Sequence, residues 1–164
     1  MKSLKLVWLV WVFLLLNLAS CWKDTYDGNT LPPETQEGKN TFGCMVNGKV
    51  WVANVPGHLY FQRNGFSIEA KKYVNKVDQV IEFEVLDTLK EKKYDLGAIY
   101  GDNIKNYIFR TDSLAYTGTL EITKFDTIKK ILSGRFEFRA KLDLPTVDSV
   151  VTITDGRFDF RVTF

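Results

Sequence analysis

Apolar residues follow two different patterns along this chain. An unbroken apolar run extends from Leu6 to Leu16, after a short basic start at Lys2 and Lys5. Its eleven residues suit the core of a secretory signal but are fewer than the roughly 20 that a bilayer-spanning helix needs. Beyond residue 40, apolar and polar residues instead alternate in short stretches, which is the period of β-strands with one solvated face.

The first alternating stretches predict a hairpin that turns at Asn47-Gly48. Both central residues of a type I′ turn need a positive φ, and Asn-Gly between two apolar stretches is the strongest short signal for it. The two-residue turn places Cys44 opposite Trp51. We expect both side chains to face the core together with Phe42.

Two further hairpins are predicted in the same way. One turns at Asn64-Gly65. The other turns at Asp155-Gly156 and places Ile153 opposite Phe158, so that the apolar residues of both strands share one face.

The rest of the chain also favours strands. Residues 80–85, 118–125 and 131–142 alternate clearly, and 106–110 form a further candidate strand, whereas 88–104 are predicted to be a short strand inside a long loop. No stretch after residue 40 shows a sustained helical period. We therefore predict an all-β fold, an antiparallel β-sandwich of about eight to ten strands, with a closed or partly closed β-barrel as the alternative.

The stretch Leu18-Ala19-Ser20-Cys21 closely follows the apolar run. It resembles the lipobox of bacterial lipoproteins, in which two small residues fit a peptidase cleft and the following cysteine is lipidated. The resemblance implies that residues 1–20 are a signal peptide and that Cys21 carries the lipid. Residues 21–40 are polar, contain Pro32-Pro33 and are predicted to be a flexible tether. Residues 41–164 then form a single β domain.

Removing residues 1–20 changes the charge of the protein. Of its 22 Lys and Arg residues, Lys2 and Lys5 lie in the signal, so the mature chain carries 20 basic and 20 acidic residues. This balance argues against nucleic-acid binding, which needs a concentrated basic face. With Cys21 lipidated, Cys44 is the remaining cysteine; an intrachain disulfide is excluded, and we interpret Cys44 as a small buried apolar group.

No catalytic residue, metal ligand or cofactor is predicted from the residue types. His58 is the only histidine, and with Cys44 it supplies two soft ligands where zinc sites use three or four. No serine lies in a Gly-x-Ser-x-Gly motif. Most carboxylates lie at alternate strand positions, where solvating charge is expected, although a pair of them is also what glycoside hydrolysis uses.

Two groups of residues are candidates for binding. The first is a predicted loop with aromatic and oxygen-bearing side chains that suit a sugar, a peptide or Ca²⁺: Tyr94, Asp95, Tyr100, Asp102 and Asn103. The second is a basic stripe: Arg135, Arg139, Lys141, Arg157 and Arg161. We interpret the stripe as one half of cross-strand ion pairs rather than as an anion-binding patch.

Three motifs together resemble a family of small, uncharacterised lipoproteins of Bacteroidetes-type bacteria. They are the lipobox, the Thr-Phe-Gly-Cys-x-Val-Asn-Gly hairpin at residues 41–48 and the Asp-Gly-Arg-Phe-Asp segment at residues 155–159. The resemblance is good at both ends of the chain and poor between residues 58 and 112. It implies an envelope location and an all-β fold, and it supplies no activity.

These observations predict an outer-membrane lipoprotein, anchored through Cys21 and facing the periplasm or the cell surface. Its expected role is non-enzymatic, either structural or in binding a glycan or protein partner. Two alternatives remain open: a small hydrolase that uses carboxylates, and an inhibitor or immunity-type protein that acts on a toxin.

Overall fold

The computed structural model of the protein describes residues 28–74, 77–103, 107–111, 116–144 and 149–163. They form ten strands: β1 (Thr41–Val46), β2 (Lys49–Val52), β3 (Val55–Gln62), β4 (Gly65–Val74), β5 (Val77–Val85), β6 (Lys93–Asp102), β7 (Tyr107–Arg110), β8 (Gly118–Asp126), β9 (Ile131–Leu142) and β10 (Val150–Arg161). Among these residues there is no helix of the length and apolarity that crossing a membrane requires. The predicted signal at 1–20 and Cys21 lie outside the described residues.

All ten strands belong to one antiparallel sheet, in the order β2-β1-β10-β9-β7-β6-β5-β4-β3, with β8 off this path. β7 and β8 share one row of the sheet, because each of them pairs with both β6 and β9. β8 lies beside residues 93–96 of β6, and β7 lies beside residues 99–102. The row is therefore interrupted between the two strands, and we call this interruption the fork.

The sheet folds over on itself, so that its two halves face each other across one core. The ring centroid of Phe42 in β1 lies 6.1 Å from that of Phe83 in β5, although four strands separate β1 from β5 in the sheet order. Phe83 also lies 5.0 Å from Phe136 in β9. The prediction of an all-β, sandwich-like fold with eight to ten strands is confirmed.

The first hairpin forms as predicted. Cys44 pairs with Trp51, and the turn residues Asn47 and Gly48 have φ angles of 48° and 74°. Cys44, Trp51 and Phe42 are all buried. The strong alternation of residues 131–142 also corresponds to a strand of the predicted length.

The second hairpin turns one residue earlier than predicted. Gln62 pairs with Gly65, so Arg63 and Asn64 form the turn. Gly65 is required for another reason: a side-chain carbon there would collide with the carbonyl oxygen of Val85 at the end of β5. The glycine allows two backbones to approach each other, and it does not supply a positive φ.

The prediction of a terminal hairpin at Asp155-Gly156 is wrong. β10 is a single strand that pairs with β9 along its whole length, and the pairing shifts by one residue between Ile153 and Gly156. Asp155 has a φ of 52°, so the two residues form a β-bulge. A bulge and a two-residue turn both keep Ile153 and Phe158 on the core face, so alternation cannot distinguish them. The long apolar face of β9 needs a partner of equal length, which a hairpin would not supply.

The chain before β1 packs against the domain, which corrects the prediction of a tether over the whole of residues 21–40. Pro32 is buried against Gly43, and Asn40 Oδ1 accepts a hydrogen bond from the backbone N–H of Arg161 at 2.8 Å. We call residues 31–40 the lead-in segment. Asn40 and Arg161 are 121 positions apart, and no local pattern in a sequence reports a contact over that distance.

Candidate functional site

The five residues of the predicted binding loop do not form a loop. Four of them lie in β6, and Asn103 follows it directly. Tyr94 and Tyr100 are buried in the core, and the Tyr94 hydroxyl accepts a hydrogen bond from the backbone N–H of Lys90 at 2.7 Å. The two rings therefore do not form an aromatic surface for a ligand, and the loop prediction is wrong.

The oxygen-bearing members of the group are also separated. Asp95 and Asp102 lie near opposite ends of β6, and Asn103 Nδ2 donates to Asp78 Oδ1 at 3.1 Å. Across the described residues, no group of three or more His, Cys, Asp or Glu side chains is placed to hold a metal ion. The arrangement that the sequence suggested for Ca²⁺ is therefore not formed by these residues.

Two glycines obscure the alternating pattern of β6 in the sequence. Gly97 lies between the buried residues Leu96 and Ala98, Gly101 follows the buried Tyr100, and glycine is disfavoured in strand interiors. The strand is identified by its inward-facing apolar residues, which occur at every second position: Tyr94, Leu96, Ala98 and Tyr100.

A groove of about 680 Å³ lies on the outer face of the sheet at the fork, and we call it the fork groove. Asp95, one of the predicted site residues, lines it. The other lining residues come from β5, the turn after it, β6, β8 and the connection before β8: Glu84, Leu86, Leu96, Gly97, Thr111, Tyr116, Thr117, Gly118 and Thr119. The groove exists because β7 and β8 meet there without continuing the row.

Hydrogen bonds hold the backbone around the fork in place. Ala98 N donates to Thr111 Oγ1 at 2.9 Å, and Thr111 N donates to Ala98 O at 3.0 Å. On the opposite side, Arg139 N donates to Thr117 O at 3.1 Å. The residues that flank the interruption thus satisfy backbone groups that a continuous strand would have paired, which keeps the groove walls fixed.

Gly97 forms an open part of the groove floor. A side-chain carbon at Gly97 would meet nothing closer than 3.9 Å, so packing within the described residues does not require glycine there. Gly118 is different, because a carbon at that position would lie 2.5 Å from Phe138 Cβ and 2.8 Å from Leu96 Cδ1. Glycine inside a strand often marks a place where another molecule or backbone approaches closely.

The side chains of the fork groove combine carboxylates, hydroxyls and apolar surface. Glu84 and Asp95 are exposed, and no basic residue is among the described residues that line the groove. Leu86 is 79% exposed at the rim, and the Arg139 guanidinium lies 6.0 Å from the centre of the Tyr116 ring. The groove therefore offers hydrogen-bond acceptors and an aromatic ring, with acidic groups in its lining and the Arg139 guanidinium beside its ring.

At Arg135, acidic side chains neutralise the basic stripe. Arg135 is paired with Glu34 at 2.6 Å and with Glu121 at 3.9 Å, and Glu121 lies directly opposite it on β8. A depression of about 260 Å³ beside Arg135 is lined by three basic and four acidic side chains: Lys93, Arg135, Arg157, Glu34, Glu121, Glu137 and Asp155. For Arg135, the interpretation as a cross-strand ion pair is confirmed.

Asp159 forms a second polar cluster, inside the protein. It is 1% exposed, and its carboxylate accepts five hydrogen bonds. The donors are Thr35 Oγ1 (2.6 Å), Ser133 Oγ (2.8 Å), Gly38 N (2.9 Å), Glu37 N (3.0 Å) and Lys39 N (3.1 Å). Burial raises the pKa of the Asp159 carboxyl, but the hydrogen bonds outweigh burial and hold the pKa below its usual value. We call this cluster the Asp159 latch, since four of its donors belong to the lead-in segment.

Cys44 and His58 do not contribute to either cluster. Burial raises the pKa of the Cys44 thiol, which keeps the thiol protonated and unreactive. His58 is exposed on β3, and its ring centroid lies 6.0 Å from that of Tyr60. The interpretation of Cys44 as a buried apolar group is confirmed.

No protein-family model matches this chain, and neither a curated protein nor a solved structure is significantly similar to it. The resemblance to Bacteroidetes-type lipoproteins therefore stays a prediction from the motifs.

Proposed function

We propose that this protein is a lipid-anchored lipoprotein of the bacterial envelope that binds a glycan in the fork groove without cleaving it. One observation carries the proposal: Gly97 leaves part of the groove floor open, although packing within the described residues does not require a glycine there. Glycine in a strand interior costs roughly 0.5–1 kcal/mol relative to alanine. Access of a ligand to the groove floor is a reason for a glycine at position 97 despite this cost.

The lining of the groove suits an uncharged sugar. The C–H face of a sugar ring packs against an aromatic side chain such as Tyr116, and its hydroxyls donate hydrogen bonds to carboxylates such as Glu84 and Asp95. Thr117 and Thr119 add exposed hydroxyl groups. Anionic glycans are disfavoured, because both charged lining residues are acidic.

The envelope location rests on the apolar run and the lipobox-like stretch that ends at Cys21. If the lipid is attached at Cys21, the ten residues 21–30 separate it from the lead-in segment and span at most about 35 Å. The domain would then stay close to the membrane. Cys21→Ser is expected to move the protein from the membrane fraction to the soluble fraction, and membrane retention of this variant would contradict the anchor.

The binding proposal is tested with full-length protein purified from membranes in detergent and applied to an array of neutral and charged glycans. We expect neutral glycans to bind, and Gly97→Val to abolish binding, because valine fills the floor and suits a strand. Gly101→Val is the matched control, since Gly101 lies on the same face of β6 but does not line the groove. Equal binding by both variants would contradict the proposal, as would a preference for anionic glycans.

A second candidate function is hydrolysis, and one observation favours it. Glu84 pairs with Gly97, so Asp95 lies diagonally across from Glu84 on the neighbouring strand. Diagonal residues have Cβ atoms no more than about 7–8 Å apart, so two such side chains can reach the roughly 6.5–9.5 Å that separates the carboxyl groups of inverting glycosidases. Hydrolysis predicts that a bound oligosaccharide is shortened and that Glu84→Gln stops the reaction. The binding proposal predicts that the oligosaccharide is recovered intact.

A further inference from the structure

The fork groove lies at one end of a row of residues that crosses four strands. Gly97 on β6 pairs with Glu84 on β5, Glu84 pairs with Ser67 on β4, and Ser67 pairs with Tyr60 on β3. Residues that lie directly opposite each other in an antiparallel sheet share one face. Since Glu84 is exposed, the whole row lies on the outer face.

The composition of this row differs from that of its neighbour on the outer face. Gly97 has no side chain and Ser67 has a small one, which lies low in the surface and is 3% exposed. The adjacent row carries larger side chains: His58, Glu69, Glu82 and Ile99. Gly97 and Ser67 therefore leave two low positions in this row, one on either side of Glu84.

Tyr60 closes the far end of the row. Its side chain is 49% exposed, and the His58 ring beside it extends the aromatic surface. Neighbouring strands are about 4.8 Å apart, so Tyr60 lies about 14 Å from Gly97. That distance is longer than a single sugar ring.

We propose that the fork groove continues along this row to Tyr60 and that the complete site binds a linear, uncharged oligosaccharide. Tyr116 contacts the sugar unit in the groove, and Tyr60 contacts a unit at the other end of the bound chain. Glu84 lies between the two tyrosines and accepts hydrogen bonds from sugar hydroxyls. This inference rests on the proposed function, and it adds the shape and length of the ligand.

The length of the site makes the proposal testable by calorimetric titration. The probes are two uncharged series, chito-oligosaccharides and cello-oligosaccharides of two to six units. With the full-length protein in detergent, we expect Tyr60→Ala to weaken hexasaccharide binding about tenfold and to leave disaccharide binding unchanged. Tyr73→Ala is the matched control, because Tyr73 is 52% exposed on the outer face of β4 but lies outside the row. It should change neither affinity.

The outcomes separate this inference from the function on which it rests. If Tyr60→Ala has no effect on hexasaccharide binding while Gly97→Val abolishes it, the extension of the site to Tyr60 is contradicted. Glycan binding in the fork groove is then supported. If wild-type protein binds no member of either series, the proposal is overturned for these neutral glycans. If the wild-type protein binds oligolysine instead, and salt weakens that binding, the acidic side chains bind a basic peptide. The inference is then also wrong. Unchanged melting temperatures show that each variant is folded.

Discussion

The Asp159 latch and the fork groove use similar polar groups in opposite ways. In the latch, five donors of the protein surround one buried carboxylate, so its hydrogen-bonding capacity is used within the fold. In the groove, Glu84 and Asp95 are exposed beside an open glycine. Acidic residues alone do not indicate a site; what distinguishes the groove is that its acceptors face solvent above a floor that packing leaves open.

The largest effect is expected in the core that supports the latch. Phe158, next to Asp159, is buried against Phe42 and Phe160, so Phe158→Ala should lower the free energy of unfolding by about 3–5 kcal/mol. Arg157→Ala is the control and should cost little. Equal losses for both variants in urea denaturation would mean that the assigned faces of β10 are wrong.

The two glycines at the fork should respond in opposite directions. Gly118→Ala forces a carbon against Phe138 and Leu96 and should destabilise the protein by about 1–3 kcal/mol. Gly97→Ala should leave the stability unchanged or raise it by up to about 1 kcal/mol. Thermal melting of the two variants checks this difference, and a clear loss for Gly97→Ala would give Gly97 a structural role instead.

Removing the charge of the latch should destabilise the protein more than removing a groove charge. In Asp159→Asn, an amide group replaces one carboxylate oxygen and leaves some of the five donors without an acceptor. The cost is expected to be about 1–3 kcal/mol. Asp95→Asn, which changes an exposed side chain in the same way, should stay within about 0.5 kcal/mol of wild type.

The latch also predicts how stability depends on pH. The pKa of Asp159 is lowered in the folded protein, so its contribution is present above the unfolded value of about 3.9 and is lost as the pH falls through the folded value. The stability difference between wild type and Asp159→Asn should therefore be constant from pH 7 to about pH 5 and shrink below about pH 4. Denaturation series at these pH values measure it, and a difference that grows in acid would contradict the assignment.

The smallest effect is expected at the ion pair between the lead-in segment and β9. Glu34 and Arg135 are paired at 2.6 Å, but both side chains are about half exposed. Glu34→Gln should cost at most about 1 kcal/mol, and salt should reduce that cost. A larger loss would mean that this pair, rather than Asp159, holds the lead-in segment.

A region could be predicted from the sequence when the contacts that form it join residues that lie close together in the chain. The hairpin at Asn47-Gly48 depends on residues close in sequence, and its register was predicted from the turn type. The bulge at Asp155 was mistaken for a turn because both keep Ile153 and Phe158 on one face. Only the length of the neighbouring strand decides between the two.

The candidate site was harder to predict than the fold. Asp95 lines the fork groove, but the sequence analysis placed it in a loop, because Gly97 and Gly101 obscure the period of β6. Tyr116 and Glu84 were missed, since the fork brings them to Asp95 through strand pairing and not through sequence proximity. The latch was missed for the same reason: Thr35 and Asp159 are 124 positions apart.

The central claim is that Gly97 is kept for a ligand and not for the fold. The most direct test is a titration of Gly97→Val with the neutral glycan that wild-type protein selects from the array, made on protein whose melting temperature has been recorded. The account predicts a melting temperature at or above that of wild type together with loss of binding. Unchanged binding by the folded variant would contradict it.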